Sequence, residues 1–437
     1  MASRAMKGLI FTLMLTAGGA VGSLFDPFIG LLIYVSFAII KPESMWFYSV
    51  PLGGNYSRIV ALALLAGWAI HGFGNWDFGR GSRIVKIIFA FLVWAMLSAV
   101  LAPDQGTAWV FIREMAKIVL PFVAGVTLLT SVARLKQLAW VIVLSQGFVA
   151  LELNRAYFDG FNQMQEIGFA GLDNNSVAIA MVTGFGLACY LGIFAERIWQ
   201  RGLALVLAVL MAHSVMFAFS RGGMLGLIAV GCVAFVLFVR EPKHLAYAVI
   251  IVMFMLRLAG PEVRKRFSTA FVEKEERDSS AASRIEQWGY CWDAMLSHPL
   301  FGVGPDHWLQ VSATYREGKR MEAHSLWFQT GAELGIVGGG LLIAFYAVSI
   351  VSLWPIARAW RSRGTWSDTG LRYLAGGVIA ALVGFSVSGS FVTLEGLEIP
   401  YYTVLLGTGV LKLAGRTADQ PAWRPSSAVE ARWAVPA

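Results

Sequence analysis

The strongest constraint on this chain is a series of long, uncharged apolar runs, at residues 59–70, 87–102, 119–130, 202–220, 222–239, 336–354 and 374–392. Several approach the roughly 18–20 residues that a helix needs to cross the hydrocarbon of a bilayer. Lipid offers no hydrogen-bond partners, so only helices and closed barrels cross it, and these runs are too long and too apolar for barrel strands. Charged residues make up 14% of the chain, against about 25% in soluble domains. The expected fold is an all-α polytopic membrane protein, with about 12 transmembrane helices and one large helical periplasmic loop.

Apolar segments lie near 8–24, 27–40, 56–72, 85–101, 116–131, 136–153, 174–195, 202–219, 222–239, 244–259, 325–354, 371–392 and 399–414. Short loops between them carry basic clusters: Arg80, Arg83 and Lys86; Arg134 and Lys136; Arg197 and Arg201; Arg240 and Lys243; Arg358, Arg361 and Arg363. The bias of lysine and arginine toward the cytoplasm puts all of them on that side. The remaining loops then face outward, including Leu394–Glu398, which is acidic. Counting every segment would put the N-terminus outside, against Arg4 and Lys7. The first two segments are short and glycine-rich, so the expectation is that one is re-entrant or fused and that both ends lie inside. The basic start reads as an uncleaved first helix.

Four regions follow: an N-terminal transmembrane bundle at 1–259, a periplasmic loop with amphipathic helices at 260–324, C-terminal transmembrane helices at 325–415, and a cytoplasmic tail at 416–437. The tail is rich in proline and alanine and reads as disordered. In the loop, Ile285, Trp288, Trp292 and Met295 fall at helical spacing and predict one apolar face, laid on the membrane or the bundle. The net charge of +8 belongs to membrane topology and implies no nucleic acid. Three cysteines, Cys189, Cys232 and Cys291, do not make a disulfide framework.

Three constellations could carry chemistry. In FAFSRGGMLG, Arg221 sits in a tight turn on the outer side, where the charge bias disfavours it. It is either a snorkelling anchor or a phosphate ligand, and Gly222 and Gly223 allow close approach of a backbone or ligand. Arg284, on the tryptophan-bearing segment, offers a planar fork suited to phosphate oxygens, or is a solvated loop charge. His324 opens MEAHSLWFQTGAELGIVGGG at the mouth of a span, with Gln329 and Glu333 four residues apart on one helical face. Polar groups at membrane depth line a cavity or pair with each other; for Glu333 a structural hydrogen bond is the stronger expectation. His298 and His307 flank a Gly/Pro turn without paired carboxylates, so no metal site, cofactor or nucleotide fingerprint is expected.

Taken together, the SRGG turn (220–223), ASRIEQW around Arg284, HPLFGVG (298–304) and AHSLWFQTGAELGIVG (323–338) resemble the O-antigen ligase superfamily. This group comprises O-antigen ligases, O-antigen polymerases and bacterial protein O-oligosaccharyltransferases. The motifs span about 205–345 in the family's order, around one large outer loop. The stretch SLFDPFIGLLIYVSFAIIKPESMWF also looks like an O-glycosylation ligase branch found beside exosortase systems.

The resemblance implies an enzyme in the bacterial inner membrane that works in lipopolysaccharide biosynthesis. It would transfer a glycan from undecaprenyl pyrophosphate to an acceptor hydroxyl, with inversion, without metal, at the periplasmic face. Lipid A-core is the expected acceptor; a growing glycan or a protein side chain are the alternatives. Arg221 and Arg284 would hold the pyrophosphate and His324 would activate the acceptor. Arg155, Arg264, Lys265 and Arg266 would add charge near the donor, and the Trp288 helix would cover the lipid chain. A transporter of polyprenyl-linked glycans is the reading from another class; it would need a basic cavity but no base at its mouth.

Overall fold

The computed structural model describes residues 2–238, 279–315, 318, 320–359, 366–394 and 396–418. The expected span at 244–259, the residues Arg264, Lys265 and Arg266, and most of the tail lie outside the described residues. Fourteen principal helices appear among those described: α1 (Ala2–Phe25), α2 (Pro27–Ile40), α3 (Tyr56–Ile70), α4 (Ser82–Leu101), α5 (Gln105–Leu128), α6 (Val132–Phe158), α7 (Asn174–Phe194), α8 (Ile198–Phe217), α9 (Arg221–Phe238), α10 (Ser279–Ser297), α11 (Trp308–Tyr315), α12 (Leu326–Arg358), α13 (Trp366–Gly389) and α14 (Glu398–Ala418). The all-α expectation holds: the sole β pairing described is an isolated bridge between Phe169 and Leu172. Eight helical stretches are long and apolar enough to cross a membrane by length and composition, and two shorter apolar helices, Tyr56–Ile70 and Arg221–Leu237, accompany them.

Local chemistry sets the helix starts. Asp26 accepts from the Phe28 amide at 3.1 Å, with Pro27 in the first turn. Asp104 accepts from Gly106 and Thr107, and Asp173 from Ser176 at 2.9 Å. Each side chain satisfies an amide that the first helical turn leaves without a partner. The Asp104 cap extends α5 well before the expected start near 116, and Glu114 of that extension pairs with Lys117 on an exposed face.

Contacts define two ends of the bundle. At one end Arg134 pairs with Asp26 at 2.8 Å, Lys136 with Glu196, and Arg201 donates to the Ala195 carbonyl. Gly370 of α13 abuts Lys136, and Arg372 donates to Ala359 just beyond Arg358. Lys412, 1% exposed, reaches the carbonyls of Asn75 at 3.0 Å and Val126 at 2.6 Å. A cation among the last carbonyls of α5 meets the negative end of the helix dipole. The basic loops described therefore gather at a single end, as their charge pattern demands.

The opposite end holds the Lys41–Glu398 ion pair at 2.7 Å and the motif loops. Here the structure corrects one expectation. Phe11 of α1 packs on Trp46, with ring centroids 5.5 Å apart, and Trp46 lies just past Lys41 at this end. The other end of α1 is the basic one, where the Ser23 carbonyl presses on Gly67 of α3 and Trp68 donates to Thr127. So α1 and α2 are separate antiparallel helices, neither fused nor re-entrant, because Asp26 and Pro27 break and restart the chain. The first helix begins at the motif end and α14 finishes at the basic end, not both at one.

The feature that fixes the motif end is a break in α12. Gly335 has φ 71° and ψ −175°, which interrupts the helical ladder. The freed groups are taken up by the HPLFGVG turn: Val303 donates to the Ala332 carbonyl at 2.9 Å, Gly304 to that of Glu333 at 3.0 Å, and Ile336 to that of Pro299 at 2.9 Å. From α4, Trp94 donates to the Leu334 carbonyl and stacks on Phe301 at 4.8 Å. Gly302 has φ 67°, and a Cβ there would stand 2.3 Å from the Glu333 carbonyl. Gly302→Ala should therefore lower the thermal midpoint clearly, since a left-handed non-glycine residue alone costs about 1–2 kcal/mol and the clash adds to it. Gly340→Ala, which meets nothing within 4 Å, should leave it unchanged or raise it. Melts of both variants in detergent check the pair.

Candidate active site

His324 stands at the last loop position before α12, in a left-handed conformation with φ 49°. The next residue, Ser325, is the N-cap, with extended backbone. The reversal at His324 turns its side chain out of the coming helix, and 39% of it is exposed. Trp288 of α10 holds the preceding peptide: its indole N–H donates to the Ala323 carbonyl at 3.2 Å. Trp288 stacks on Phe328, one turn into α12, at 5.4 Å. The loop of 260–324 thus reaches the bundle through a described, packed helix.

Arg284, one turn before Trp288 on α10, lies close enough to act on His324 electrostatically. Burial pushes the His324 imidazole below its ordinary value, and the Arg284 charge lowers it further. The carboxylates of Glu322 and Asp173 oppose them, Glu322 with an oxygen 4.0 Å from Nδ1. His324 is neutral at pH 7, the form that accepts a proton.

Arg221 opens α9. Phe219, in a left-handed turn with φ 52°, brings the chain out of α8, and Ser220 Oγ accepts from the Gly223 amide at 3.2 Å. Three amides from the 159–174 connection secure this turn. Asn162 donates to the Phe217 carbonyl at 2.9 Å, while Gln165 and Asn174 donate to that of Ala218. Gly222 abuts the Phe391 side chain and Gly223 the Ala178 side chain. The glycines beside Arg221 serve helix packing here. Phe391 in turn faces Trp288, with ring centroids 6.2 Å apart, which links the Arg221 turn to the Trp288–Ala323–His324 unit. Arg221, Arg284 and His324 are therefore gathered at one end of the bundle.

The remaining residues sort differently. Arg155 is about half exposed in the last turn of α6, 4.0 Å from Asp159. Trp288 acts through packing and the Ala323 carbonyl. In its helix Cys291 and Ala294 are buried, whereas Ile285 and Trp292 are 53% and 50% exposed. Trp288 and Met295 side with the buried set, Met295 against Gly331. Glu333 is 1% exposed and accepts from the Asp306 and Trp308 amides at 3.1 and 3.0 Å and from Gln329 at 3.0 Å. It is a structural anchor for the start of α11, as its sequence context suggested. His307, also 1% exposed, has Nδ1 2.7 Å from the Pro305 carbonyl, and its Nε2 accepts from the Asp104 amide. A carbonyl only accepts, so the proton resides on Nδ1 and His307 is a neutral strut between α11 and α5. His298 is exposed. Among the described residues, no three His, Cys, Asp or Glu side chains come together as a metal-binding group.

Asp173 and Glu322 were missed in the sequence. Asp173 looks there like any N-cap, and nothing local ties it to a residue far along the chain. Their charges give a direct check. Arg284→Gln removes a charge that lowers the His324 pKa, so that pKa should rise. Glu322→Gln removes one that raises it, so it should fall. An NMR titration of labelled histidine in each variant reads both shifts; equal or same-direction shifts would contradict the arrangement.

Residues 206–343 match a family described as O-antigen ligase, and residues 6–154 match a family of unknown function. An uncharacterized protein of Haemophilus influenzae is 24% identical over 202 residues, covering 41% of this chain. That match takes in 49% of the relative's own length. The O-antigen ligase match contains Arg221, Arg284 and His324, together with the Gly335 break and the turn docked on it. Residues 206–343 are thus similar to the O-antigen ligase family, which supports the superfamily that the motifs resemble.

Proposed function

We propose that this protein is an O-antigen ligase of the bacterial inner membrane, with its site at the periplasmic face. It moves a glycan from undecaprenyl pyrophosphate to an acceptor hydroxyl, with inversion and without metal, and lipid A-core is the acceptor. The observation that carries this reading is the gathering of two arginines and a neutral histidine at the bundle end opposite the basic loops. Pyrophosphate is a good leaving group, and the guanidinium groups of Arg221 and Arg284 offset the charge that develops as its bond to the anomeric carbon breaks. The acceptor alcohol attacks the opposite face of that carbon while His324 takes its proton. Arg155 and Trp288 remain candidates for donor contact, as do Arg264, Lys265 and Arg266.

The test is single-turnover transfer in nanodiscs with purified lipid-linked glycan and acceptor. His324→Ala should keep donor binding and lose roughly 10²–10⁴-fold in rate, the range for general-base catalysis. Arg221→Ala should weaken both, because a phosphate contact acts in the ground state and the transition state alike. Arg284→Lys keeps the charge but not the fork and should weaken donor binding. Wild-type rate in His324→Ala would remove the base from the mechanism. Donor binding without covalent transfer in the wild type would favour the transporter reading.

Transfer should also persist in excess EDTA. Loss on chelation with recovery on adding magnesium or manganese would contradict the metal-free step. Since the active form of His324 is deprotonated, the rate should rise with pH through its lowered pKa and level off by pH 7.

A further inference from the structure

A cavity lies beside this site. It has a volume of about 220 Å³ and is formed by α2, α6, α7, the start of α14 and the loop at 169–172. Its walls are apolar, with Ile39, Val149, Phe169, Val177, Met181 and Leu397 among them. Among the lining residues is Gln146, whose side chain is fully buried. Neither its Oε1 nor its Nε2 has a hydrogen-bond partner. Buried amides are almost always satisfied, because leaving both the donor and the acceptor unpaired is costly. The rest of the lining offers little to pair with. The Lys41–Glu398 ion pair is matched at 2.7 Å, and Tyr402 donates to the second Glu398 oxygen at 2.6 Å.

We propose that this cavity is a binding site for a small, neutral, largely apolar group carrying an amide. Gln146 Oε1 would accept from the ligand N–H while Nε2 donates to its carbonyl, which satisfies both atoms at once. The apolar walls would enclose the remainder of the ligand. A purely hydrocarbon occupant would leave Gln146 unpaired. A charged occupant would meet no surplus charge at the rim and would be penalised by the apolar walls. The size is adequate, since an apolar cavity of about 150 Å³ already holds benzene. The roof residues Phe169 and Leu172 lead directly into Asp173, whose carboxylate acts on His324. The site is therefore next to the candidate active site but shares none of its three principal residues, and the proposal does not depend on glycan transfer.

Binding to the purified full-length protein in nanodiscs tests it, with three probes of matched size: N-cyclohexylacetamide, cyclohexyl acetate and propylcyclohexane. Affinity is read from the concentration dependence of the thermal midpoint. Each affinity is referred to the measured concentration of that probe in the nanodisc lipid, so probes and variants can both be compared. The wild type should bind the amide about tenfold more tightly than the hydrocarbon, with the ester between, as expected for one to two net hydrogen bonds. In Gln146→Leu that order should vanish or reverse. Ala180→Phe, which fills the cavity from the α7 wall, should abolish binding of all three while leaving Gln146 in place. The proposal is overturned if the wild type ranks the probes equally or binds none. It is also overturned if Gln146→Leu keeps the amide preference, or if Ala180→Phe binds as before. Should Gln146→Leu fail to fold, the wild-type ranking and the Ala180→Phe result still decide.

Discussion

The architecture of the motif end depends on one interruption, the left-handed Gly335 inside α12. A continuous helix would keep its carbonyls and amides to itself and present only side chains to its neighbours. Broken here, it offers two carbonyls and an amide to the 299–304 turn, and that turn becomes part of the bundle. Glu333 completes the joint from the side-chain direction by gathering the amides of Asp306 and Trp308. A buried carboxyl group is acceptable in such a place because backbone donors surround it and because it meets the positive end of α11. Gln329 extends the joint to the connection between α13 and α14, since its side-chain Oε1 accepts from the Thr393 hydroxyl at 2.7 Å. The loop, the first turns of α12 and the α13–α14 connection are thereby held as one unit, and His324 sits on that unit.

The two ends of the bundle solve the same problem with different residues. Every helix leaves carbonyls without partners at its C-terminus. At the basic end a lysine satisfies them, as Lys412 does for α5, and arginine contributes at Ala195. At the motif end the donors are neutral amides: Asn162, Gln165 and Asn174 for α8, with Asn154 bridging α6 and α8 through the Leu210 carbonyl and Ser214. Amides carry no charge, so they secure the Arg221 turn without competing for an anion that Arg221 and Arg284 could hold.

Much of this was legible in the sequence, for definable reasons. The helices follow from long apolar runs, and their common polarity follows from arginine and lysine in the short loops; both signals are local and repeated. His324, Gln329 and Glu333 drew notice because polar groups beside an apolar run must find partners, and the partners of Glu333 proved structural. What escaped depends on distant contacts. Positive φ at His324 leaves no trace in its residue type. The link from Trp288 to Ala323 crosses a loop. The division of α10 into a buried side at Cys291 and an exposed side at Trp292 is set by where α12 packs. The direction of α1 was misjudged because the charge rule weighed Arg4 and Lys7, while the Asp26–Arg134 pair and the packing of Phe11 on Trp46 decide it.

One consequence joins the charges at the site to the proposed reaction. Arg284 lowers the His324 pKa, whereas Glu322 and Asp173 raise it. With no anion present, the arginine helps keep the imidazole neutral but also makes it a weaker base. An anionic pyrophosphate bound at Arg284 would cancel that influence and leave burial alone to oppose the two carboxylates. The imidazole would then become more basic just when a donor is in place, and the imidazolium formed by proton transfer would be stabilised by Glu322 and Asp173. In the proposed reaction the same guanidinium would hold the leaving group and tune the base that starts the attack. Arg284 cannot be replaced by a neutral donor of equal reach without losing this coupling, even where binding of the phosphate is preserved.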